Sequence, residues 1–212
     1  TSFNLTDTTY VYVAGGFNTL GNASVSGGDL LAQCTAGTCS NALQGTSGNN
    51  YASTNFSVGQ WINALAVTPA GNLMVGGVFG EIGGATSGAT SGTAALLAQC
   101  TPGSVVGSAC INQIGTGISS PYAFNNAYIN AITPPQSTNF IYLGGDFTNI
   151  RSFSVTSGQK MLAKCGYSGT SPNQSCNSYL GTGVVSTKYA NKAISAVDYF
   201  NSNVSVGGLF TQ

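Results

Sequence analysis

The sequence predicts an all-β chain made of tandem units, each with four short antiparallel strands. Three observations support this: a long internal repeat, short apolar runs bounded by turn residues, and one cysteine pair in each complete repeat. A phrase with two adjacent glycines recurs at 13–17, 75–79, 143–147 and 206–210. The phenylalanine that ends it stands at 17, 79, 147 and 210, in steps of 62, 68 and 63 residues. A long period of this kind indicates one supersecondary unit copied in tandem.

Each unit carries four phrases in constant order, which we interpret as strands A to D. Strand A is Ile-Asn-Ala or Ile-Ser-Ala, at 62–64, 129–131 and 194–196. Strand B carries the glycine pair. Strand C ends in Leu-Ala-Gln-Cys or Leu-Ala-Lys-Cys, at 31–34, 97–100 and 162–165, and strand D ends in a glycine turn at 43–45, 114–117 and 180–183.

The strand assignment also has a chemical basis. Runs at 10–13, 72–75 and 140–143 are short, apolar or aromatic, and bounded by turn formers, as strands are. Residues 69–72 and 201–203 have the composition of hairpin turns between strands A and B. No segment shows a sustained period of 3.6 residues, so we expect almost no helix. The glycine pair should let the strand bulge and neighbouring units approach closely, with the following phenylalanine packed between units.

Four antiparallel strands per unit, repeated radially, is the plan of a β-propeller blade. We therefore predict one repeat domain over 1–212 with about three and a half blades. Blade 1 covers 1–45, blade 2 covers 58–117, blade 3 covers 125–183, and 190–212 form strands A and B of a half blade 4. A β-solenoid with several rungs per repeat and a string of small sandwiches are the competing folds.

The glycine-pair phrases resemble the secreted GG-x-F propeller repeats, distant relatives of kelch repeats that occur in bacterial surface proteins and fungal cortical-marker proteins. The resemblance covers the whole chain and implies the propeller fold. The period is longer than that of kelch repeats, and the cysteine pairs are an addition. Kelch-type relatives include a copper oxidase whose metal chemistry needs histidine, and this chain has none. No catalytic residue is therefore carried over.

The six cysteines form three local pairs between strands C and D. The pairs are Cys34 with Cys39, Cys100 with Cys110, and Cys165 with Cys176. Their spacers of four, nine and ten residues vary while the ends keep their place in the repeat, as a cross-strand disulfide allows. A zinc site would need fixed spacing and usually histidine. We predict three disulfides and a secreted, extracellular or cell-surface location.

The chain is nearly uncharged, with five Lys plus Arg and five Asp plus Glu. This argues against nucleic acid as a partner, because such partners need a basic patch. No apolar run is long enough to span a membrane as a helix. Of five Asn-x-Ser/Thr sequons, three fall in predicted loops and are the candidate glycosylation sites. They are Asn22, Asn55 and Asn173.

The residues indicate no enzyme. Histidine, the usual general base, is missing, and the five acids stand at different places in the repeat. Asp146 and Asp198 are expected to be solvated turn carboxylates rather than ligands. We predict no catalytic residue, no metal and no cofactor.

Four aromatic residues are candidate contacts to a ligand or another subunit: Trp61, Tyr122, Tyr128 and Tyr189. Strand B of the half blade is expected to be an exposed edge, with Val204, Val206, Leu209 and Phe210. That half blade should be completed by another copy or by the remainder of a longer chain.

The predicted function is a non-enzymatic structural subunit of an extracellular fibre or surface assembly. The alternative is a secreted adhesin, or another module that binds carbohydrate or protein through its loops. The partners expected are further copies of the chain, and in the alternative glycans or cell-surface proteins.

Overall fold

The computed structural model describes residues 2–5, 10–17, 19–24, 30–35, 38–43, 61–79, 81–86, 95–104, 109–113, 118–119, 128–134, 140–147, 149–150, 153–154, 159–160, 162–166, 176–178, 184–185 and 194–208. These residues form strands and turns, and none of them is helical.

The described residues contain 23 strands, which fall into four consecutive units. Unit 1 holds β1 (Ser2–Leu5), β2 (Val11–Gly15), β3 (Thr19–Leu20), β4 (Ala23–Ser24), β5 (Leu30–Thr35) and β6 (Thr38–Asn41). Unit 2 holds β7 (Trp61–Val67), β8 (Leu73–Val78), β9 (Glu81–Ile82), β10 (Ala85–Thr86), β11 (Ala95–Cys100) and β12 (Cys110–Asn112), and β13 (Ile118–Ser119) follows it. Unit 3 holds β14 (Tyr128–Ile132), β15 (Phe140–Asp146), β16 (Asn149–Ile150), β17 (Phe153–Ser154), β18 (Gln159–Lys160), β19 (Leu162–Gly166) and β20 (Cys176–Ser178), and β21 (Val184–Val185) follows it. Unit 4 holds β22 (Ile194–Phe200) and β23 (Asn203–Gly208).

The main sheets have the strand order that the repeated phrases predict. Units 1, 2 and 3 each form a four-stranded antiparallel sheet, in the orders β1-β2-β5-β6, β7-β8-β11-β12 and β14-β15-β19-β20. Unit 4 forms the hairpin β22-β23. Strands A, B, C and D are thus spatial neighbours in chain order, because short turns join strands that lie side by side.

The turns that join strand A to strand B differ in length, but both contain residues with positive φ. In unit 2 the Thr68 amide donates to the Asn72 carbonyl at 2.8 Å, and Gly71 has φ +81°. In unit 4 the turn is Asn201-Ser202, with φ of 49° and 65°. Positive φ at both central residues is the geometry of the two-residue hairpin turn that matches the natural twist of paired strands.

Sequence analysis missed a small hairpin between strands B and C of each complete unit. These hairpins are β3-β4, β9-β10 and β16-β17. In unit 2 the hairpin rests on strand D, because the Cys110 amide donates to the Gly83 carbonyl at 2.9 Å. In unit 1 the Asn41 side chain bonds both backbone groups of Ser24, each at 2.9 Å. In units 1 and 2 the hairpins therefore cover the outer part of their own sheets.

Consecutive units pack face to face through strands A and B. One buried cluster joins units 1 and 2 and includes Tyr12, Leu31, Ile62, Leu65, Leu73 and Val75. A second joins units 2 and 3 and includes Ala64, Met74, Ile129, Ile132 and Leu143. A third joins units 3 and 4 and includes Tyr142, Leu162 and Ile194. The core is thus a series of layers between sheets, each apolar on the two faces it joins.

The prediction that strand B of unit 4 is an exposed edge stays a prediction, and the structure adds where the side chains of Val204 and Val206 lie. Both are half-buried and pack against the cluster of Tyr142, Leu162 and Ile194. Strand side chains alternate between faces, and this pair points towards unit 3. Leu209 and Phe210 lie outside the described residues.

Candidate functional site: the interface between units

The interface is built around a β-bulge opposite the glycine pair. In unit 2, Ile62 pairs with Gly77 and Ala64 pairs with Gly76, which leaves Asn63 as an extra residue in strand A. The same register shift occurs at Asn130 in unit 3 and at Ser195 in unit 4. A bulge bends its strand and re-aims the extra side chain. Sequence analysis foresaw a bulge in strand B, whereas the extra residue is in strand A.

In units 2 and 3, the second glycine of the pair makes room for the bulged backbone. A methyl group placed on Gly77 would collide with the carbonyl oxygen of Trp61, and one on Gly145 would collide with that of Tyr128. The methyl group would also lie 3.0 Å from the Phe79 ring in unit 2. Only glycine fits here, because a backbone carbonyl cannot rotate away as a side chain can.

In units 2 and 3, the first glycine of the pair makes room for the next unit. A methyl group on Gly76 would lie 2.7 Å from both Ile129 Cγ2 and Ile132 Cδ1. In the next interface, a methyl group on Gly144 would collide with Ile194 and lie 2.6 Å from Val197 Cγ2. The glycine pair thus has two separate roles, one within its sheet and one between sheets.

The bulged residues form a ladder of side-chain amides from unit to unit. Asn63 Nδ2 donates to Asn130 Oδ1 at 3.3 Å, and Asn130 Nδ2 donates to the Ile194 carbonyl at 3.3 Å. Both asparagines are half-buried. A side-chain amide can accept a hydrogen bond from one neighbour and donate one to another. Asn130 does both, and it thereby connects unit 3 to unit 2 and to unit 4.

Asn130→Ala should destabilise the chain more than Asn63→Ala, because Asn130 makes two inter-unit hydrogen bonds in the ladder and Asn63 makes one. We expect Asn130→Ala to lower the free energy of unfolding by about 1–2 kcal/mol, and Asn63→Ala by about half as much. Ser195→Ala is the matched control, since Ser195 is the exposed bulge residue of unit 4. Urea unfolding measures all three. Equal values for Asn130→Ala and Ser195→Ala would show that the ladder contributes nothing.

All three predicted disulfides are present. They join Cys34 to Cys39, Cys100 to Cys110 and Cys165 to Cys176, and each links directly opposite residues of strands C and D. Cys100, Cys110, Cys165 and Cys176 are buried, and Cys34 and Cys39 are half-buried. Each disulfide ties strand D, the outermost strand of its sheet, to strand C. Strand D needs this link most, because it is hydrogen-bonded to a neighbouring strand on one side only.

The candidate contact residues Trp61 and Tyr128 occupy the same place in successive units. Each begins strand A, directly before the isoleucine that faces the preceding unit. Trp61 is 49% exposed and Tyr128 is half-buried. Both are thus on the surface at one end of the A strands, and their role as contacts stays a prediction. Tyr122 and Tyr189 lie outside the described residues.

The expectation of a solvated turn carboxylate is wrong for Asp146. Its exposed fraction is 9%, and it ends strand β15 opposite Tyr128 rather than standing in a turn. Asp198 is exposed, but it lies in the middle of β22 and its carboxylate accepts a hydrogen bond from the Tyr199 amide at 2.8 Å. Neither location is evident from the position of these acids in the repeat.

Asn22 is placed where a glycan could be attached. It is exposed in the two-residue turn of the β3-β4 hairpin, next to Gly21 at φ +59°. We expect secretion from a eukaryotic host to add one glycan at this sequon, seen as a mass increase of the peptide that carries Asn22, which Asn22→Gln abolishes. Exposed Thr101, changed to alanine, is the control and should keep the glycan. An unchanged mass in Asn22→Gln would refute attachment there. Asn55 and Asn173 lie outside the described residues.

Within the described part of the chain, no three His, Cys, Asp or Glu residues stand close enough to hold a metal ion. The same part holds no helix with the length and hydropathy needed to cross a membrane. Comparison with protein families, characterised proteins and solved structures finds no match to this chain. The repeat and its interfaces are therefore the features from which function can be inferred.

Proposed function

We propose that this chain is a non-enzymatic structural protein of the extracellular space, whose units are β-propeller blades and which assembles by adding further blades through the same interface. The observation that carries the proposal is the repetition of one interface. The facing isoleucines, the bulge and the glycine gap serve the contact between units 2 and 3 and again that between units 3 and 4. An interface used repeatedly within a chain is suited to extension between chains.

The two ends of the described stack offer surfaces that match parts of this interface. Val11 and Val13 of unit 1 have the register positions of Leu73 and Val75, which in unit 2 pack against the preceding unit. Both valines are half-buried. At the other end, Gly207 has the position of Gly76, and a methyl group on it would find Ala196 Cβ at 3.4 Å and no other described residue within 4 Å. A second copy placed head to tail would bring these surfaces together.

Composition supports the same proposal. Only 5% of the residues are charged, so copies can pack without electrostatic repulsion. The three disulfides are typical of proteins that mature in an oxidising compartment.

The experiment is electron microscopy and light scattering of the purified, oxidised chain over a range of concentrations. We expect ordered rings or filaments in which one chain repeats. Gly207→Leu should prevent assembly without unfolding the chain, because the added side chain fills the gap that would face unit 1 of the next copy. Thr101→Leu, which places the same leucine side chain at an exposed residue of unit 2, should assemble normally. A chain that stays monomeric at all concentrations, or assembly unaffected by Gly207→Leu, would overturn the proposal.

A further inference from the structure

A cleft of about 360 Å³ opens at the outer edge of unit 1 and is lined by residues of that unit alone. Its lining is aromatic, hydroxylated and amide-bearing, with the half-buried disulfide at one side. The lining residues are Tyr10, Asn22, Gln33, Thr35, Thr38, Cys39 and Ser40. None of these carries a charge. The volume lies at the small end of the range for sites that bind small molecules.

Strand register arranges most of the lining in two rows on one face of the sheet. Gln33 stands opposite Ser40, and Thr35 stands opposite Thr38. The hydroxyl groups of Thr35 and Thr38 are hydrogen-bonded at 3.1 Å. Tyr10 is two residues before Tyr12, the partner of Gln33, and therefore adjoins the threonine row. Its ring is 38% exposed, so a large aromatic surface stands beside a row of hydroxyl groups.

The fold does not require this lining, because unit 2 lacks it. At the matching register positions, unit 2 has Asn72 in place of Tyr10, Ala109 in place of Thr38 and Ile111 in place of Ser40. Gln99, which matches Gln33, is buried and accepts a hydrogen bond from Gln113 Nε2 at 3.0 Å. Two of the hydroxyl groups that face the cleft in unit 1 are thus replaced by apolar side chains and its glutamine by an internally satisfied one, while Thr101 keeps the hydroxyl group of Thr35.

Unit 3 differs in another way. Phe140 takes the place of Tyr10 and Lys164 takes the place of Gln33. The Lys164 ammonium lies 4.1 Å from the centroid of the Phe140 ring, a cation–π contact that covers the aromatic face. An aromatic face beside neutral hydroxyl and amide groups is therefore found in unit 1 but not at the matching described positions of units 2 and 3.

We propose that this cleft is a binding site for a short neutral saccharide. Hydroxyl and amide groups both donate and accept hydrogen bonds, as the hydroxyl groups of a sugar do. The tyrosine ring offers an apolar face to the C–H side of a sugar ring while its hydroxyl stays in water. A neutral lining gives no attraction to an acidic sugar. The site goes beyond the structural role and does not depend on assembly.

Binding should be weak, because the cleft is open on one side and has one aromatic ring. We expect dissociation constants of about 0.1–10 mM. Several such sites displayed on an assembly would reinforce one another towards a polysaccharide.

The test is two-dimensional amide NMR of the oxidised chain, produced without glycosylation. The probes are soluble oligomers of β-1,3-glucose, β-1,4-glucose, β-1,4-N-acetylglucosamine and α-1,6-mannose, with an oligogalacturonate as the acidic comparison. We expect at least one neutral probe to shift the amide signals of Gln33, Thr35 and Ser40 in a saturable way. The acidic probe should leave them unchanged.

Variants assign the binding to the cleft. Tyr10→Ala should weaken it by about tenfold and Thr38→Val by about threefold. Asn72→Ala, the matching position in unit 2, is the control and should bind as the unchanged chain does. If no neutral probe shifts these signals, if the acidic probe binds as well, or if both cleft variants bind normally while folded, the proposal is wrong.

Discussion

Replacing Gly144 by alanine is expected to lower the free energy of unfolding by about 1–3 kcal/mol, the usual cost of overpacking a close contact. The added methyl group would collide with Ile194 and approach Val197 to 2.6 Å, and both side chains are on strand A of the next unit. Alanine otherwise suits a strand better than glycine, so destabilisation would identify the contact as its cause. Thermal and urea unfolding measure the effect.

Gly207→Ala is the matched control for this prediction. It changes the same position of the repeat, but the new methyl group would meet Ala196 Cβ at an ordinary 3.4 Å. We expect a change within about 0.5 kcal/mol, as for most surface substitutions. Unit 1 has Ala14 at the equivalent position, within the same buried cluster as Ile62 and Leu65. That alanine indicates that a methyl group can be accommodated when the facing residues pack around it, so Gly144→Ala should weaken the stack without abolishing folding. Equal effects at 144 and 207 would contradict the stacking of unit 4 on unit 3.

Removing the disulfide of unit 2, by changing Cys100 and Cys110 to alanine together, is expected to cost about 2–5 kcal/mol. Both sulfurs are buried, and the Cys110 sulfur packs against Gly83 of the β9-β10 hairpin. The change therefore gives the unfolded chain more conformational freedom, and it also leaves a small cavity beneath the hairpin. Urea unfolding of the double variant, compared with the unchanged oxidised chain, measures the loss.

The disulfide of unit 1 provides the comparison. Cys34 and Cys39 are half-buried and five residues apart, against ten for Cys100 and Cys110. A shorter loop and less burial should make its removal cheaper, by about 1 kcal/mol or more. Mild reduction should also open Cys34–Cys39 first, as mass mapping of alkylated thiols would reveal. A unit 2 variant as stable as the unit 1 variant would refute the role given to burial.

Strand order and cysteine pairing could be predicted because the repeat displays them directly. The Leu-Ala-Gln-Cys phrase follows the glycine pair in the same order in three units. This constant order indicates which strands are neighbours. The cysteine spacers change in length without moving their ends, which indicates a pair that faces across two strands. Both inferences depend on local order along the chain, where sequence is most informative.

The interface chemistry could not be predicted, because it depends on which strands face each other across units. Asn63 and Asn130 look like ordinary strand residues until a bulge turns them towards each other. The small hairpins had a signal that was overlooked: Phe17, Phe79 and Phe147 are each followed three residues later by Leu20, Ile82 or Ile150. Two-residue strands are too short to show a period, so only the repetition of this spacing could have indicated them. The unit 1 cleft could not be predicted, because the sequence alone does not show that Tyr10 stands beside Thr35.

The central claim is that successive sheets stack through the glycine gap in strand B and the isoleucine of the next strand A. Methyl-labelled NMR tests it most directly, by nuclear Overhauser contacts from the glycine α-protons to isoleucine methyl groups. The account predicts contacts from Gly76 to Ile129 and Ile132, and from Gly144 to Ile194, with none from Gly207 to any of these in the monomeric chain. Contacts from Gly76 or Gly144 to methyl groups of a different unit, or to none in a folded chain, would contradict it.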